Sequence, residues 1–185
     1  MDFPSLPVDQ KIFSADRIWL FLDYDGTVAD FALTPDHIEP DPELIRLIQR
    51  LSENPFIRVT MISGRRLEHI RKLLPVQGIW LAGTYGIEFQ QPEGVEGYLI
   101  PYQEVRPIIE AVKPKLEDIL SGKEGFYLED KGWALAIHAR FADDRQAAEV
   151  LEEARSAMEA VRKPDQFRIL GGHKFIEIGP RAAHK

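Results

Sequence analysis

Two aspartates separated by one residue, Asp23 and Asp25, stand where an apolar run meets a glycine, in Ile18-Trp19-Leu20-Phe21-Leu22-Asp23-Tyr24-Asp25-Gly26-Thr27. In a backbone that is still extended, residues two apart project the same way with Cα atoms about 6.5–7 Å apart. Like charges that close disfavour each other's ionised form unless a cation lies nearby. The pair therefore invites a hard divalent ion such as Mg²⁺, which is satisfied by one or two carboxylates, waters and phosphate oxygens. A carboxylate can also attack a phosphoryl group to give an acyl phosphate that water then hydrolyses. In that chemistry Asp23, nearer the rigid strand, is the nucleophile, while Asp25 protonates the leaving oxygen and later activates water. Mg²⁺ and a lysine would offset the charge between Asp23 and a phosphate dianion, since phosphoryl transfer is catalysed mostly by positioning and charge stabilisation. The competing reading is a strand exit whose aspartates only favour a turn. An EF-hand calcium loop fits worse: it needs glycine sixth and glutamate twelfth, whereas counting from Asp23 puts Gly26 fourth and Thr34 twelfth.

Ile18–Leu22 reads as a strand buried on both faces, the kind found inside a parallel sheet. Residues 1–16 carry two prolines and little periodicity, and form a leader packed loosely against the core. Val28–Pro42 is a polar connection with three prolines that presents a helix start at Asp41-Pro42. Leu44, Leu47, Ile48 and Leu51 then repeat at helical spacing until Asn54-Pro55. Ile57–Ile62 is a second strand ending at Ser63-Gly64-Arg65, and a helix with Leu67, Ile70, Leu73 and Leu74 on its apolar face follows. A third strand, Ile79–Ala82, exits into Gly83-Thr84-Tyr85-Gly86. Strands and helices alternating with short connections predict a parallel α/β sheet, whose ligands sit outside the carboxyl ends of the strands. Three exits carry suitable groups: Asp23 and Asp25, then Ser63, then Gly83-Thr84. Ser63, just before a helix, is either a phosphate-oxygen donor or an N-cap, and both roles can hold at once.

From about residue 100 the pattern changes. One helix is expected over Val105–Leu120, started or interrupted by Pro107 and Pro114. Strands Gly125–Glu129 and Trp133–Phe141 follow, joined at Asp130-Lys131-Gly132. Asp143 or Asp144 caps a helix carrying Ala147, Leu151, Ala154, Met158 and Val161, which Pro164 ends. A hairpin, Gln166–Leu170 and Lys174–Ile178, turns at Gly171-Gly172. This α-β-β-α-β-β block reads as a small antiparallel module inserted into the sheet domain. His138 and Arg140, two apart, share a strand face opposite Ile137 and Ala139. Tyr24 is read as a packing residue, His37, His69 and His173 as surface or structure, and the acidic run 149–153 as the solvated face of its helix.

Composition narrows the function classes. A chain of 185 residues, 44% apolar and 29% charged, fits one domain or a domain with a substantial insert. A net charge of -7 leaves no basic footprint for nucleic acid, so any positive charge for phosphate must be concentrated locally or come from a metal. With no cysteine, disulfides, thiolate zinc sites and cysteine nucleophiles are excluded, and a reducing compartment fits. No apolar run reaches the roughly eighteen residues of a membrane span, and the first residues lack the basic start and apolar stretch of a signal peptide. A soluble cytoplasmic protein is the expectation.

Asp23-Tyr24-Asp25-Gly26-Thr27 resembles the first motif of the haloacid-dehalogenase (HAD) superfamily of aspartyl phosphatases. Ile62-Ser63-Gly64-Arg65 is similar to its second motif as trehalose-6-phosphate phosphatases write it. Glu129-Asp130-Lys131 followed by His138-Ala139-Arg140 resembles that family's E-x-K … H-x-R cap sequence. Phe175-Ile176-Glu177-Ile178 resembles its strand leading back to the core, and His184-Lys185 its Asn-Lys. The resemblance implies an α/β fold: a Rossmann-like HAD core with a parallel sheet (residues 1–103 and 172–185) and an inserted α+β cap of the C2 type (104–171). It implies hydrolysis of a sugar phosphate, with trehalose 6-phosphate favoured over sucrose, glucosylglycerol or mannosyl-glycerate types of phosphate. By the resemblance Asp23 is nucleophile, Asp25 acid and base, and Lys185 the charge-stabilising lysine. Ser63 would be a phosphate ligand, Thr27, Gly64 and Arg65 would bind substrate with it, and Glu129, Lys131, His138 and Arg140 would hold the sugar hydroxyls. Mg²⁺ would sit on the Asp23 carboxylate and the Asp25 main-chain carbonyl. The chain departs from the family's pattern in three places. Gly83-Thr84-Tyr85-Gly86 replaces Gly-Asn-His-Gly, Gly179 stands where an arginine commonly precedes the proline, and the acidic fourth motif belongs after Lys185, where the sequence stops. A truncated chain, weak or inactive for want of a metal ligand, is therefore expected, with a silent phosphosugar-binding or regulatory domain as the alternative. No oligomeric state follows from these residues.

Overall fold

The computed structural model describes residues 12, 15–29, 39–161, 163 and 165–183. Most of the leader, the middle of the polar connection, Pro164 and the His184-Lys185 pair lie outside the described residues. The chain divides into two compact units, the first reaching Gly83 and taking in Phe89–Gly97, the second comprising Thr84–Glu88 and everything from Tyr98. The boundaries therefore differ from those expected at 103/104 and 171/172. Residues 172–183 belong to the second unit, because the strand Phe175–Pro180 is hydrogen-bonded between two strands of its sheet.

The first unit is organised by a sheet in the order β1 (Ile18–Asp23), β2 (Ile57–Ile62), β3 (Trp80–Gly83), β4 (Glu88–Gln90), β5 (Glu96–Tyr98). β1, β2 and β3 are parallel, as the alternation of elements predicts. The two short strands β4 and β5 were not anticipated from the sequence. Helix α1 (Pro42–Ser52) begins where expected: the Asp41 carboxylate accepts from the amides of Glu43 at 2.8 Å and Leu44 at 3.3 Å, with Pro42 in the first turn. Leu44 and Ile48 of α1 join Leu67, Ile70 and Leu73 of α2 (Leu67–Leu73), and Val59, Met61 and Leu81 of the sheet, in one apolar core. β1 departs from expectation. It is an edge strand of the described sheet, and Trp19 and Phe21, 48% and 60% exposed, stack at 5.1 Å on an open face while Leu20 and Leu22 turn inward.

The second unit follows the expected α-β-β-α-β-β order: α3 (Tyr102–Leu120), β6 (Tyr127–Asp130), β7 (Leu135–His138), α4 (Asp144–Val161), β8 (Phe167–Gly172) and β9 (Phe175–Pro180). Its sheet runs β6-β7-β9-β8, antiparallel throughout. Neither Pro107 nor Pro114 interrupts α3. A proline inside a helix costs about 3 kcal/mol, but Val105, Ile109, Val112 and Leu116 are all buried, each contributing about 1.5–3 kcal/mol. Asp143, not Asp144, caps α4, accepting from the amides of Arg145 and Gln146. The β8–β9 turn falls on His173-Lys174 and not on Gly171-Gly172, which extend β8. A Cβ on Gly171 would lie 2.6 Å from Arg155 Nη2, the tip of a side chain that can move aside. Lys174 accepts a left-handed φ of 52° with its ammonium held by the Ala142 carbonyl at 2.7 Å and Asp144 at 2.6 Å. No helix among the described residues is long and apolar enough to cross a membrane.

Candidate active site

The parallel register of the first unit lines up its strand ends, since Asp23 pairs with Ile62 and Ile62 with Ala82. The Ser63 amide extends the ladder by donating to the Ala82 carbonyl at 2.9 Å. Gly83 permits the next step. A Cβ on it would lie 2.4 Å from the Leu67 amide nitrogen, so only glycine lets the first turn of α2 rest on the end of β3.

β1 ends at Asp23, and the chain then folds tightly back. The Tyr24 carbonyl accepts from the amides of Val28 at 3.2 Å and Ala29 at 3.0 Å, and the Gly26 amide donates to the Ala29 carbonyl at 2.7 Å. Asp25 therefore lies in a turn, not in the extended backbone that the two-residue spacing assumes. Tyr24 is fully buried, and its hydroxyl has no hydrogen-bond partner among the described residues. Burial, then the Asp25 charge, push its pKa up, so it stays a protonated packing residue.

The Asp25 carboxylate meets Arg65. Nε lies 3.0 Å from both oxygens and Nη2 2.8 Å from Oδ1, a fork that fixes the plane of the carboxylate. Ser63 Oγ makes a long bond of 3.4 Å to Asp25 Oδ2 and accepts from the Arg65 amide at 3.0 Å. Ser63 has no exposed surface. Nor is it the N-cap: α2 begins at Leu67 with Arg66 in the cap position, so the hydroxyl shapes the loop. The structure thus brings together Asp25, Ser63 and Arg65 beside the end of Asp23's strand, with Gly64 inside the loop and Thr27 exposed in the turn after Gly26. Lys185 lies outside the described residues.

Among the described residues no three acidic or histidine side chains gather as a metal cage. The Asp25 carboxylate is engaged by Arg65. A carboxylate at the end of β1, as Asp23 is, belongs to the hard-oxygen type of ligand that Mg²⁺ takes together with waters and phosphate oxygens.

A second polar cluster is assembled across the antiparallel sheet. Glu129, Ala136 and Glu177 are neighbours on β6, β7 and β9. Ala136 is small enough to leave the space between the two carboxylates to Lys131. The Lys131 ammonium is 2.7 Å from Glu177 Oε2 and 3.7 Å from Glu129 Oε2, and His138 Nε2 is 2.9 Å from Glu129 Oε2. Lys131 and Glu177 are 5% and 2% exposed. Burial alone would lower the lysine pKa, yet the charges of Glu177 and Glu129 outweigh it and hold the pKa above its ordinary value. The intervening Asp130 serves the other side of the strand, accepting from Arg106 at 2.8 Å, Lys113 at 2.9 Å and the Gly132 amide at 2.9 Å.

Of the predicted sugar contacts the structure gathers Glu129, Lys131 and His138. β7 ends at His138 and Arg140 is exposed beyond it, so the shared-face argument does not extend to Arg140. Glu177 was missed as a site residue. Its signal was present in the sequence: one carboxylate between Ile176 and Ile178 in an otherwise apolar strand. Tyr85 was missed as well. Thr84 and Tyr85 take φ of 47° and 55° and Gly86 follows at 89°, three left-handed residues in succession. Such conformations cost about 1–3 kcal/mol for each non-glycine residue. What holds them is a buried bond of 2.5 Å from Thr84 Oγ1 to Glu88 and the packing of Ile87, which is fully buried. The result puts the Tyr85 ring 5.4 Å from the Lys131 ammonium.

Comparison with known proteins gives the chain its relatives. The sequence profile described as trehalose-phosphatase matches residues 21–185. The chain is 30% identical over 162 residues to a trehalose-phosphate phosphatase of Mycobacterium leprae, covering 87% of this chain and 36% of that protein. It is likewise 30% identical over 161 residues to one of Mycolicibacterium paratuberculosis, covering 87% and 40%. Its fold is similar to the solved C-terminal domain of the Candida albicans trehalose-6-phosphate phosphatase, with a TM-score of 0.84, 22% identity, and coverage of 95% of this chain and 61% of that one. The expected α/β fold class agrees with that likeness. The chain thus spans well under half the length of the two mycobacterial relatives.

Proposed function

The chain belongs to the trehalose-phosphatase family, and we propose that it acts as a phosphoric monoester hydrolase on a sugar phosphate, trehalose 6-phosphate first among them. The observation that carries the proposal is the loop at the carboxyl end of the parallel strands, where Arg65 and Ser63 fix the Asp25 carboxylate beside the strand end that bears Asp23. In this reading Asp23 attacks phosphorus, and its carboxylate oxygen forms the new bond as the sugar oxygen leaves. Asp25 hands the leaving oxygen its proton and then takes one from the water that cleaves the acyl phosphate. Arg65 contributes by orienting Asp25, with Ser63 and Gly64 shaping the loop, and Thr27 and Lys185 completing the phosphate contacts. Mg²⁺, held by the Asp23 carboxylate and the Asp25 main-chain carbonyl, would supply positive charge against the phosphate dianion.

The second unit would take the sugar. Hydroxyl groups need both donors and acceptors, and the Lys131 ammonium between the Glu129 and Glu177 carboxylates offers both, with His138 beside them. Arg140 would join this set from beyond the strand end. The acidic net charge and the lack of cysteine support a small-molecule substrate in the reducing cytoplasm, and not a nucleic acid.

The test is release of inorganic phosphate from trehalose 6-phosphate and from sucrose 6-phosphate, with and without Mg²⁺. Slow release is expected for the trehalose ester in the presence of Mg²⁺. Asp23→Asn, which keeps the size but not the nucleophile, is expected to lose on the order of a thousandfold or more in kcat. Equal release by wild type and Asp23→Asn would defeat the mechanism.

A further inference from the structure

We infer that Tyr85 is a sugar-recognition residue: its ring forms an aromatic wall of the Glu129–Lys131–Glu177 cluster, steadies the Lys131 ammonium, and offers a face for a pyranose ring. The inference rests on the reading of that cluster as the sugar site. Three observations converge on Tyr85.

The first is its backbone. A threonine and a tyrosine in successive left-handed conformations are outliers, because Cβ crowds the carbonyl there. Strain of this kind persists only where the surroundings over-determine it. Here the Thr84 hydroxyl is tied to the buried Glu88 carboxylate at 2.5 Å, and the Ile87 amide closes the turn on the Thr84 carbonyl at 3.2 Å. The anchoring acts on the residues either side of Tyr85, and its effect is to present the side chain between them.

The second is where that side chain lies. The ring is 5.4 Å from Lys131 Nζ, within the range in which an aromatic quadrupole attracts a cation. Lys131 is buried, so the ring replaces part of the hydration the ammonium has lost. Burial, then the charge of Glu177, raise the Tyr85 pKa, so the phenol stays neutral alongside those carboxylates.

The third is chemical fit. A sugar presents hydroxyls at its rim and a C–H face above and below the ring. Carboxylate and ammonium groups suit the rim, and an aromatic surface suits the face. Among the described residues Tyr85 is the ring set over Lys131, whereas Tyr127 and Phe175 flank His138 at 6.0 Å and 5.2 Å.

The experiment measures binding, so it does not depend on turnover. Trehalose 6-phosphate and trehalose are titrated calorimetrically into wild type, Tyr85→Phe and Tyr85→Leu, with inorganic phosphate as control. Tyr85→Phe is expected to bind within about twofold of wild type, and Tyr85→Leu about tenfold more weakly for both sugars, with phosphate affinity unchanged. Tyr85→Trp provides an arm that does not need the leucine variant to fold. Titration with trehalose should shift its fluorescence relative to wild type, because a ring in contact with the sugar loses water. Wild-type protein that takes up neither sugar overturns the reading of the whole cluster, Tyr85 included. Wild-type binding that survives intact in Tyr85→Leu, or emission of the Tyr85→Trp protein that does not shift at saturation, overturns the role of Tyr85 alone.

Discussion

Each of the two polar clusters is built around one cation, Arg65 against Asp25 in the first unit and Lys131 against Glu129 and Glu177 in the second. They handle that charge differently. Arg65 commits a planar fork to Asp25 and fixes its orientation, and the two side chains keep 11% and 22% of their surface in water. Lys131 is a point charge shared between two acceptors, with 6% and 3% exposure for itself and Glu177. The first arrangement suits chemistry, where a group must be aimed and water must reach it. The second suits recognition, where a dry set of donors and acceptors waits for hydroxyl groups to complete it. What separates them is burial, not formal charge.

That difference makes the largest stability effect fall in the second unit. Lys131→Met strips Glu177 of its ammonium partner in a buried site, and breaking such a pair from one side costs about 3–5 kcal/mol. Chemical denaturation of the purified variant should report this as a lower midpoint. The loss should be the same from pH 6 to about 9, because a raised lysine pKa means its stabilisation is complete below the unfolded value near 10.4 and declines only as pH rises beyond it. Arg65→Met should cost less, roughly 1–3 kcal/mol, because Asp25 can recover water as the guanidinium goes. The same variant should lose kcat more than KM rises, since what it removes is the aim of Asp25. Equal stability losses for the two variants would dissolve the contrast between an aimed site and a dry one.

How far these clusters could be read from the sequence follows from how each is built. Asp23, Asp25 and Ser63 stand at two strand ends where a local pattern pointed to them, and Arg65 followed from the resemblance of its motif. The fork between Asp25 and Arg65 spans 40 residues and no spacing rule predicts it; Arg65 had been assigned to substrate. Glu177 is 46 residues from Lys131 and joins it only because β9 lies between β7 and β8, a strand order that the hairpin pattern leaves open. Placing Phe175–Pro180 in the core domain was the error that hid this contact. The shared face of His138 and Arg140 does not hold for a different reason: the alternation rule applies only while the strand continues, and β7 stops at His138. The prolines of α3 misled in the opposite sense, since a local penalty was outweighed by four buried side chains that only the tertiary fold supplies. Tyr85 depends on backbone strain, which leaves no trace in residue type when the strained residues are threonine and tyrosine.

The smallest effect tests whether the Glu129-Asp130-Lys131 stretch is two-sided. Glu129 and Lys131 face Glu177, whereas Asp130 braces β6 against α3 through Arg106 and Lys113. Burial works against its ionised form, but the bonds from Arg106, Lys113 and the Gly132 amide outweigh it and hold the carboxyl well below the usual carboxylate range. A group whose folded pKa is depressed stabilises fully above its unfolded value, near 3.9, and loses that contribution as pH falls through the folded one. Asp130→Asn should therefore be about 1 kcal/mol less stable than wild type between pH 5 and 8, after allowance for solvent screening of a partly exposed pair. The difference should narrow steadily below about pH 4. Urea midpoints of the two proteins taken from about pH 2.5 to 7 isolate this residue, because every other acid titrates in both. Trehalose binding should be unaffected at neutral pH if Asp130 only braces the strand. A gap in stability that does not narrow at all between pH 4 and 2.5, or a variant that loses trehalose along with stability, would mean that the two faces of the strand are not independent.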